Sequence, residues 1–223
     1  MKKAWRTVKL GEILKEISRP EEVEANKEYR ILGAHWYGGG LYIKNILLGQ
    51  EIRASKVYRV CKGDFVYNRL FAWKGSFAIA DDDAHGCYVS NEFPCFETNA
   101  EQIDTKYLAY WFRRESAWLT ALGLSSGATP TSRNRLKQAH FLAIEMPLPT
   151  LAEQRRLVAR IEEIAAQINE ARTLRSEAVK EAETLMAAAS AKLFEPKEGW
   201  QIKMVRDFCE PPQYGYTEAA IDE

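Results

Sequence analysis

The sequence predicts a mixed α/β (α+β) domain followed by one long α-helix. Three observations predict it. Between Tyr29 and about Glu97 the chain breaks into short aromatic and β-branched runs separated by glycine- and aspartate-rich turns, the patterning of strands. Residues 105–122 return to helical spacing, with Leu108, Trp111, Phe112, Trp118, Leu119 and Leu122 apolar. Beyond Leu151, the residues Leu157, Ile161, Ile164, Ile168, Ala171, Ala178, Ala182, Leu185 and Ala189 keep alternating steps of three and four, with only the Arg175 position polar. That is a heptad seam, which belongs to a helix that needs a partner helix.

Taken in order, Trp5 to Ile13 leads into a short amphipathic helix with Leu10, Ile13, Leu14 and Ile17 on one face. Arg19-Pro20 ends it, and an acidic polar stretch runs to Lys27. Strands are expected at Tyr29–Leu32, Leu41–Ile43, Val57–Val60, Asp64–Tyr67, Ser76–Ala80 and Tyr88–Phe96. Gly38-Gly39-Gly40, Lys62-Gly63-Asp64 and Asp81-Asp82-Asp83 supply turns. For the helix over 105–122, Asp104 is the expected N-cap and Gly123 the stop. Ser125 to Ser132 reads as a loop, then a short helix around Asn134–Gln138 and a strand around Phe141–Glu145 complete the domain.

The exit from this domain is the most informative stretch. Pro147 and Pro149 fix φ and push the preceding residues towards extended backbone, so residues 146–149 cannot be helical. Thr150 and Glu153 have capping-box spacing and start a helix at Leu151. A helix over 151–194 spans about 66 Å at 1.5 Å per residue. Phe194-Glu195-Pro196 ends it. The expected divisions are a domain over 1–149, the helix over 150–195 and a third segment over 196–223.

That third segment repeats the first. Trp200, Val205, Asp207 and Phe208 echo Trp5, Leu10, Glu12 and Ile13 at the same spacing. The chain is thus expected to begin a second copy of its first domain, and Glu223 comes too early to complete one.

Composition is that of an ordinary chain, 46% hydrophobic and 28% charged, with no membrane-length apolar run and no signal peptide, so a cytoplasmic protein is expected. Cys61, Cys87, Cys95 and Cys209 lack metal-ligand spacing and read as buried free thiols. The net charge of zero conceals an asymmetry. Residues 1–150 hold 21 Lys and Arg against 17 Asp and Glu, and residues 151–223 hold 10 against 14. Within the first part, Lys106, Arg113, Arg114, Arg133, Arg135 and Lys137 meet only Glu115 over residues 106–137, a cluster suited to neutralising phosphates or simply a solvated face.

No catalytic, metal or cofactor site stands out. Glu210-Pro211-Pro212-Gln213-Tyr214 only superficially resembles an amino-group methyltransferase motif, and no glycine-rich cofactor loop precedes it. Gly38-Gly39-Gly40 lacks the ending of a P-loop. Glu195-Pro196-Lys197 has the Glu-x-Lys form of some nucleases without a convincing partner Asp. His35, His85 and His140 are scattered, and Asp81-Asp82-Asp83 reads as an acidic turn.

The junction Pro147-Leu148-Pro149-Thr150-Leu151-Ala152-Glu153-Gln154 resembles the boundary between a target-recognition domain and a conserved helix in specificity subunits of Type I restriction–modification enzymes. The resemblance extends to Trp5…Leu10-Gly11-Glu12-Ile13, Lys62-Gly63-Asp64-Phe65-Val66-Tyr67-Asn68-Arg69-Leu70, Gly75-Ser76-Phe77-Ala78-Ile79, Val89-Ser90-Asn91-Glu92-Phe93, Tyr107-Leu108…Trp111 and Ser126-Gly127-Ala128-Thr129. It implies a non-catalytic reader of double-stranded DNA, with helices paired as an antiparallel coiled coil. The partners it implies are adenine methyltransferase subunits and a restriction/motor subunit, without a cofactor of its own. One recognition domain and one helix imply a half-length form working as a homodimer. The competing readings are a coiled-coil scaffold or silent cassette that does not read DNA, and a fragment of a fused methyltransferase. Family motifs mark the fold here, so the DNA-contacting candidates rest on chemistry: Arg69, Trp73 and Lys74 before Gly75, Thr131, Ser132, Arg133, Asn134, Arg135 and Lys137 after Gly127, and Tyr37 at the glycine turn.

Overall fold

The computed structural model describes residues 5–127, 134–199, 201 and 203–211. Residues up to Ala166 form one compact unit and residues from Gln167 a second.

The first unit begins with β1 (Arg6–Lys9), a 3-10 turn (Leu10–Glu12) and β2 (Leu14–Ile17). The expected amphipathic helix is therefore a strand–turn–strand. The spacing of Leu10, Ile13 and Leu14 is satisfied differently: the turn buries Leu10 and Ile13, and Leu14 enters the same core from β2. The Glu12 carboxylate accepts the Lys9 N–H at 2.8 Å, closing the turn. β2 then gains a full ladder with β10 (Cys95–Thr98), pairing Leu14 with Thr98 and Ile17 with Cys95. A helix there would leave that ladder empty.

The other strands are β3 (Pro20–Glu22), β4 (Glu28–Ala34), β5 (Leu41–Leu48), β6 (Lys56–Arg59), β7 (Phe65–Tyr67), β8 (Phe77–Ile79), β9 (Tyr88–Val89) and β11 (Glu145–Leu148). They form a pair β1-β11, a sheet ordered β2-β10-β7-β8 and a sheet ordered β3-β6-β9-β4-β5. β3 lies in the acidic polar stretch before Lys27, where no strand is expected. The single strand expected over Tyr88–Phe96 is two, one in each larger sheet. A turn closed by Phe93 N–H to Ser90 C=O at 3.0 Å carries the chain across, and Pro94, lacking a donor, precedes the second strand.

The helices are α1 (Thr105–Phe112), α2 (Glu115–Leu124), α3 (Gln138–Leu142) and α4 (Leu151–Leu193). Asp104 caps α1 as expected, accepting from Lys106 N and Tyr107 N. The single helix expected over 105–122 breaks at Arg113-Arg114, where Arg114 is extended and the Trp118 indole donates to Phe112 C=O at 2.6 Å. Gly123 does not stop the second helix; it lies in the last turn, and Ser125 Oγ bonds Ala121 C=O at 2.6 Å beyond it. The short helix and last strand both fall later than expected, because Arg135 is extended and bridged to Ser126, and β11 is positioned by pairing with β1.

The main core lies between the β2-β10-β7-β8 sheet and α1, α2 and α3. Phe65, Tyr67, Phe96, Phe112 and Phe141 are fully buried there. Phe141 stacks on Phe65 at 5.7 Å and lies 4.5 Å from Tyr67, so one α3 residue ties the helix layer to the sheet. The Lys62-Gly63-Asp64 turn has a structural role: Gly63 takes φ +89°, and buried Asp64 receives Arg19 at 2.6 and 3.2 Å and Cys61 N–H at 2.8 Å. That hydrogen bond raises the Arg19 pKa above its ordinary value.

α4 starts at Leu151 as expected, with the Glu153 N–H 3.4 Å from Thr150 Oγ1. Its first turns belong to the domain, for Gln154 and Val158 are buried and Leu157 packs against the main core. Ile161, Ile164, Ile168 and Leu185 are exposed. No helix among the described residues is long and apolar enough to cross a membrane.

In the second unit, the internal echo is visible in the backbone. A 3-10 turn at Val205–Asp207 is closed by the Asp207 carboxylate on Met204 N–H at 3.0 Å, matching the Leu10–Glu12 turn. Leu10 and Ile13 are buried, whereas Val205 and Phe208 are exposed. Cys87 and Cys95 are buried free thiols, and burial pushes Cys95 up to about 12, but Cys209 is exposed, contrary to expectation.

Candidate nucleic-acid interface

The candidate residues fall into two clusters that share the loops 68–75 and 90–93. The first is aromatic. The β4–β5 turn carries His35, Trp36 and Tyr37, all exposed, and Tyr37 takes φ +58°, a left-handed backbone that non-glycine residues seldom adopt. It is held there by two bonds to the next loop, Tyr37 N–H to Lys74 C=O and Gly38 N–H to Gly75 C=O, both 2.8 Å. Arg113 Nε adds a bond to Gly38 C=O at 3.2 Å. The Lys74 ammonium sits 3.6 Å above the Trp36 ring, and Phe71 lies 5.9 Å from it. Trp73 is half-buried, its indole donating to Leu70 C=O at 3.1 Å. Beside this cluster lies a cleft of about 650 Å³, lined among others by Tyr42, Lys44, Asn68, Phe71 and Phe93.

The second cluster is charged. Arg69 is half-buried, its backbone N–H donating to Glu92 C=O at 2.9 Å and its C=O receiving Leu136 N–H at 3.0 Å. Its guanidinium also reaches the Asn91 carbonyl and Gln138 Oε1. Arg135 is exposed and contacts Glu92 at 2.5 Å. The two strands of backbone around this loop are clasped by Ser126 and Arg135, whose N–H and C=O groups exchange bonds of 3.0 and 2.9 Å.

Of the residues expected from sequence, Tyr37, Trp73 and Lys74 thus meet in one cluster and Arg69 and Arg135 in the other. Lys137 is exposed at the N-cap of α3. Asn134 is buried, which suits a loop brace better than a base reader. Thr131, Ser132 and Arg133 lie outside the described residues.

The single basic cluster over 106–137 is not one surface. Lys106 reaches Glu162 on α4 at 2.7 Å, which raises its pKa. Arg113 is committed to Gly38, and Arg114 bonds Trp111 C=O at 3.2 Å with its guanidinium over the Trp111 ring. Spacing in sequence could not separate these fates. Sequence reasoning also missed Trp36, Phe71, Tyr42 and Glu92. The run His35-Trp36-Tyr37 immediately before three glycines was the available signal, since aromatics at a turn tip are not needed for a core.

The turn Asp81–Asp83 is occupied internally, Asp81 capping Ala84 N–H at 3.0 Å and Asp82 pairing with Lys62 at 2.8 Å. Among the described residues no group of three or more His, Cys, Asp and Glu is placed to hold a metal ion.

Comparison with known proteins gives a consistent result. The sequence matches the Type I restriction modification DNA specificity domain over residues 2–179. The fold is similar to that of the HsdS subunit from Thermoanaerobacter tengcongensis, with TM-score 0.68 and 24% identity, covering 91% of this chain and 52% of that one. A structure described as showing complex assembly and conformational transition of the type I R-M system matches with TM-score 0.61 and 27% identity, covering 90% and 52%. No curated protein matches the sequence. This chain therefore spans about half the length of the solved chains it resembles. With most of its length inside the matched region, the chain belongs to the family of Type I restriction modification DNA specificity domains.

Proposed function

We propose that this chain is a non-catalytic, sequence-reading DNA subunit of a Type I restriction–modification system. In this reading, residues 1–149 are the target-recognition domain, 150–195 the conserved helix and 196–223 the start of a second repeat. The observation that carries it, beyond family membership, is the convergence of Tyr37, Lys74, Arg69 and Arg135 on loops that adjoin one another. Exposed aromatics beside cations on adjoining loops suit groove reading with phosphate anchoring. The domain acts by positioning, directing adenine methyltransferase subunits and a restriction/motor subunit to DNA.

The reading extends to a homodimer. Ile161, Ile164, Ile168, Ala171, Ala178, Ala182, Leu185 and Ala189 form one exposed stripe on α4, and pairing it antiparallel with a second copy buries it. Two identical recognition domains related by a two-fold axis then read an interrupted palindrome. Genome-wide mapping of methylated adenines, with and without this gene expressed beside its methyltransferase, tests the proposal. A palindromic split site that vanishes without the gene is expected; two unrelated half-sites overturn the homodimer, and an unchanged methylome overturns the function.

A second reading, a coiled-coil scaffold whose head does not read DNA, draws on the commitment of Lys106, Arg113 and Arg114 to internal contacts. A gel shift with methyltransferase subunits present separates the two, since the scaffold retards no duplex.

A further inference from the structure

Two of the cations assigned to DNA converge on one carboxylate. Glu92 Oε1 is 2.5 Å from Arg135 Nη2, and Glu92 Oε2 is 3.5 Å from Arg69 Nε. The Glu92 side chain is only 19% exposed. Its two partners are held very differently. Arg69 is 20% exposed and anchored by its backbone to Glu92 and Leu136 and by its guanidinium to Asn91 and Gln138. Arg135 is 52% exposed, and among the described residues its guanidinium bonds only Glu92. At 3.5 Å the Arg69 Nε and Glu92 Oε2 atoms face each other without a hydrogen bond, and both are buried without another partner among the described residues. Arg69 is thus a fixed counter-charge, and Arg135 is the donor free to exchange.

We propose that Glu92 is a charge gate on DNA binding, which rests on the DNA-reading role proposed above. Off DNA, the carboxylate occupies Arg135. A phosphate or base edge must displace it to engage that arginine. Arg69 stays in place and keeps the buried carboxylate compensated while Arg135 turns to the duplex. Because random DNA offers phosphates everywhere, a fixed carboxylate competing for Arg135 weakens non-specific binding and reserves the arginine for a duplex that fits the rest of the surface. Glu92 touches no reacting group in this scheme; it is a positioning residue that acts through Arg135.

The test uses the full chain and a fluorescein-labelled random-sequence duplex, with affinity measured between about 50 and 200 mM salt. Glu92→Gln keeps the side-chain shape and removes the charge. It is expected to bind the random duplex several-fold more tightly at low salt, with the log–log salt slope steeper by about 0.9, one additional phosphate contact. Adding Arg135→Ala in the same chain is expected to abolish both gains. A brace with no gating role predicts the opposite, weaker binding or an unchanged slope, and either result from folded Glu92→Gln overturns the gate. Should that variant fail to fold by circular dichroism, two single variants decide. Because the gated Arg135 holds no phosphate of a random duplex, Arg135→Ala and Arg69→Lys are both expected to keep the wild-type slope, and Arg135→Ala to lower thermal stability little. A slope flattened by about 0.9 in Arg135→Ala shows an arginine already engaged in the wild type, a flattened slope in Arg69→Lys shows that the counter-charge is not fixed, and either overturns the gate. A wild-type chain that binds no duplex at any salt overturns the DNA-reading proposal itself, an outcome distinct from binding that ignores Glu92.

Discussion

The side chain of Gln154, in the second turn of α4, accepts the backbone N–H of Asp104 at 2.8 Å, immediately before α1. The same amide donates to Gln102 C=O at 2.9 Å and to Pro149 C=O at 2.8 Å. One fully buried residue therefore ties the root of α4, the start of α1 and the proline exit together. It accounts physically for the Glu-Gln pair at the junction: no other neutral side chain of that length both accepts and donates twice.

Gln154→Leu leaves one donor and two acceptors buried without partners. At about 1–3 kcal/mol for each unsatisfied group, a loss of at least 3 kcal/mol is expected. Urea denaturation followed by circular dichroism measures it. A loss below about 1 kcal/mol would show that water enters and replaces the amide.

The stripe on α4 divides at its root. Leu157 packs against the domain core, so Leu157→Ala is expected to cost about 2 kcal/mol of domain stability, the low end of the range for large-to-small core changes. Under the proposed homodimer, Ile164→Glu combined with Ile168→Glu is expected to leave the domain folded and to abolish dimerisation. Light scattering should then fall from about twice the chain mass of 25.5 kDa to that mass. Unchanged mass would place the interface elsewhere.

Inserting four residues near Thr173 lengthens the helix by about 6 Å and turns it by a little more than one turn, so the apolar stripe roughly persists. If the helix pair spaces the two domains, the half-site bases stay the same while the preferred gap widens by close to two base pairs. Methylation of duplexes with graded gaps, methyltransferase supplied, reads this directly. Retention of the original gap would remove the helix as the ruler.

Tyr37 keeps a left-handed backbone at an exposed turn tip, and Gly adopts that φ without a steric penalty. Tyr37→Gly is expected to leave thermal stability unchanged or raise it by up to about 1 kcal/mol, while weakening DNA binding. Lost stability with retained binding would identify the tyrosine as a packing residue.

Glu21 accepts Lys27 Nζ at 2.9 Å and the Tyr88 hydroxyl at 3.0 Å, with Arg59 at 3.6 Å, and the Lys27 bond leads in lowering its pKa below the ordinary 4.5. A lowered folded pKa means that its contribution is complete above 4.5 and fades as pH falls through the lowered value. The effect is modest because the pair is partly solvated. Glu21→Gln should therefore melt lower than wild type at neutral pH, the difference shrinking in acid. A constant difference would assign the effect to packing.

The elements most legible in the sequence are those decided by local rules. Pro147, Pro149 and Thr150 place the end of β11 and the start of α4, because φ restriction and capping act within a few residues. Asp104 caps α1 for the same reason, and Val205–Asp207 forms a 3-10 turn that matches Leu10–Glu12. The strands were legible where glycine turns bounded them, as at Lys62-Gly63-Asp64. Tertiary structure decided the rest. Residues 10–17 have helical spacing, yet β10, some 80 residues away, offers β2 a ladder that local periodicity does not contain. The break at Arg113-Arg114 accompanies a Trp118 bond to Phe112. Most of all, the fate of each arginine was invisible in composition. Arg113 became a brace for Gly38, Arg69 a fixed counter-charge and Arg135 an exposed donor, because a cation's role follows the partner that folding brings within a few ångströms of it.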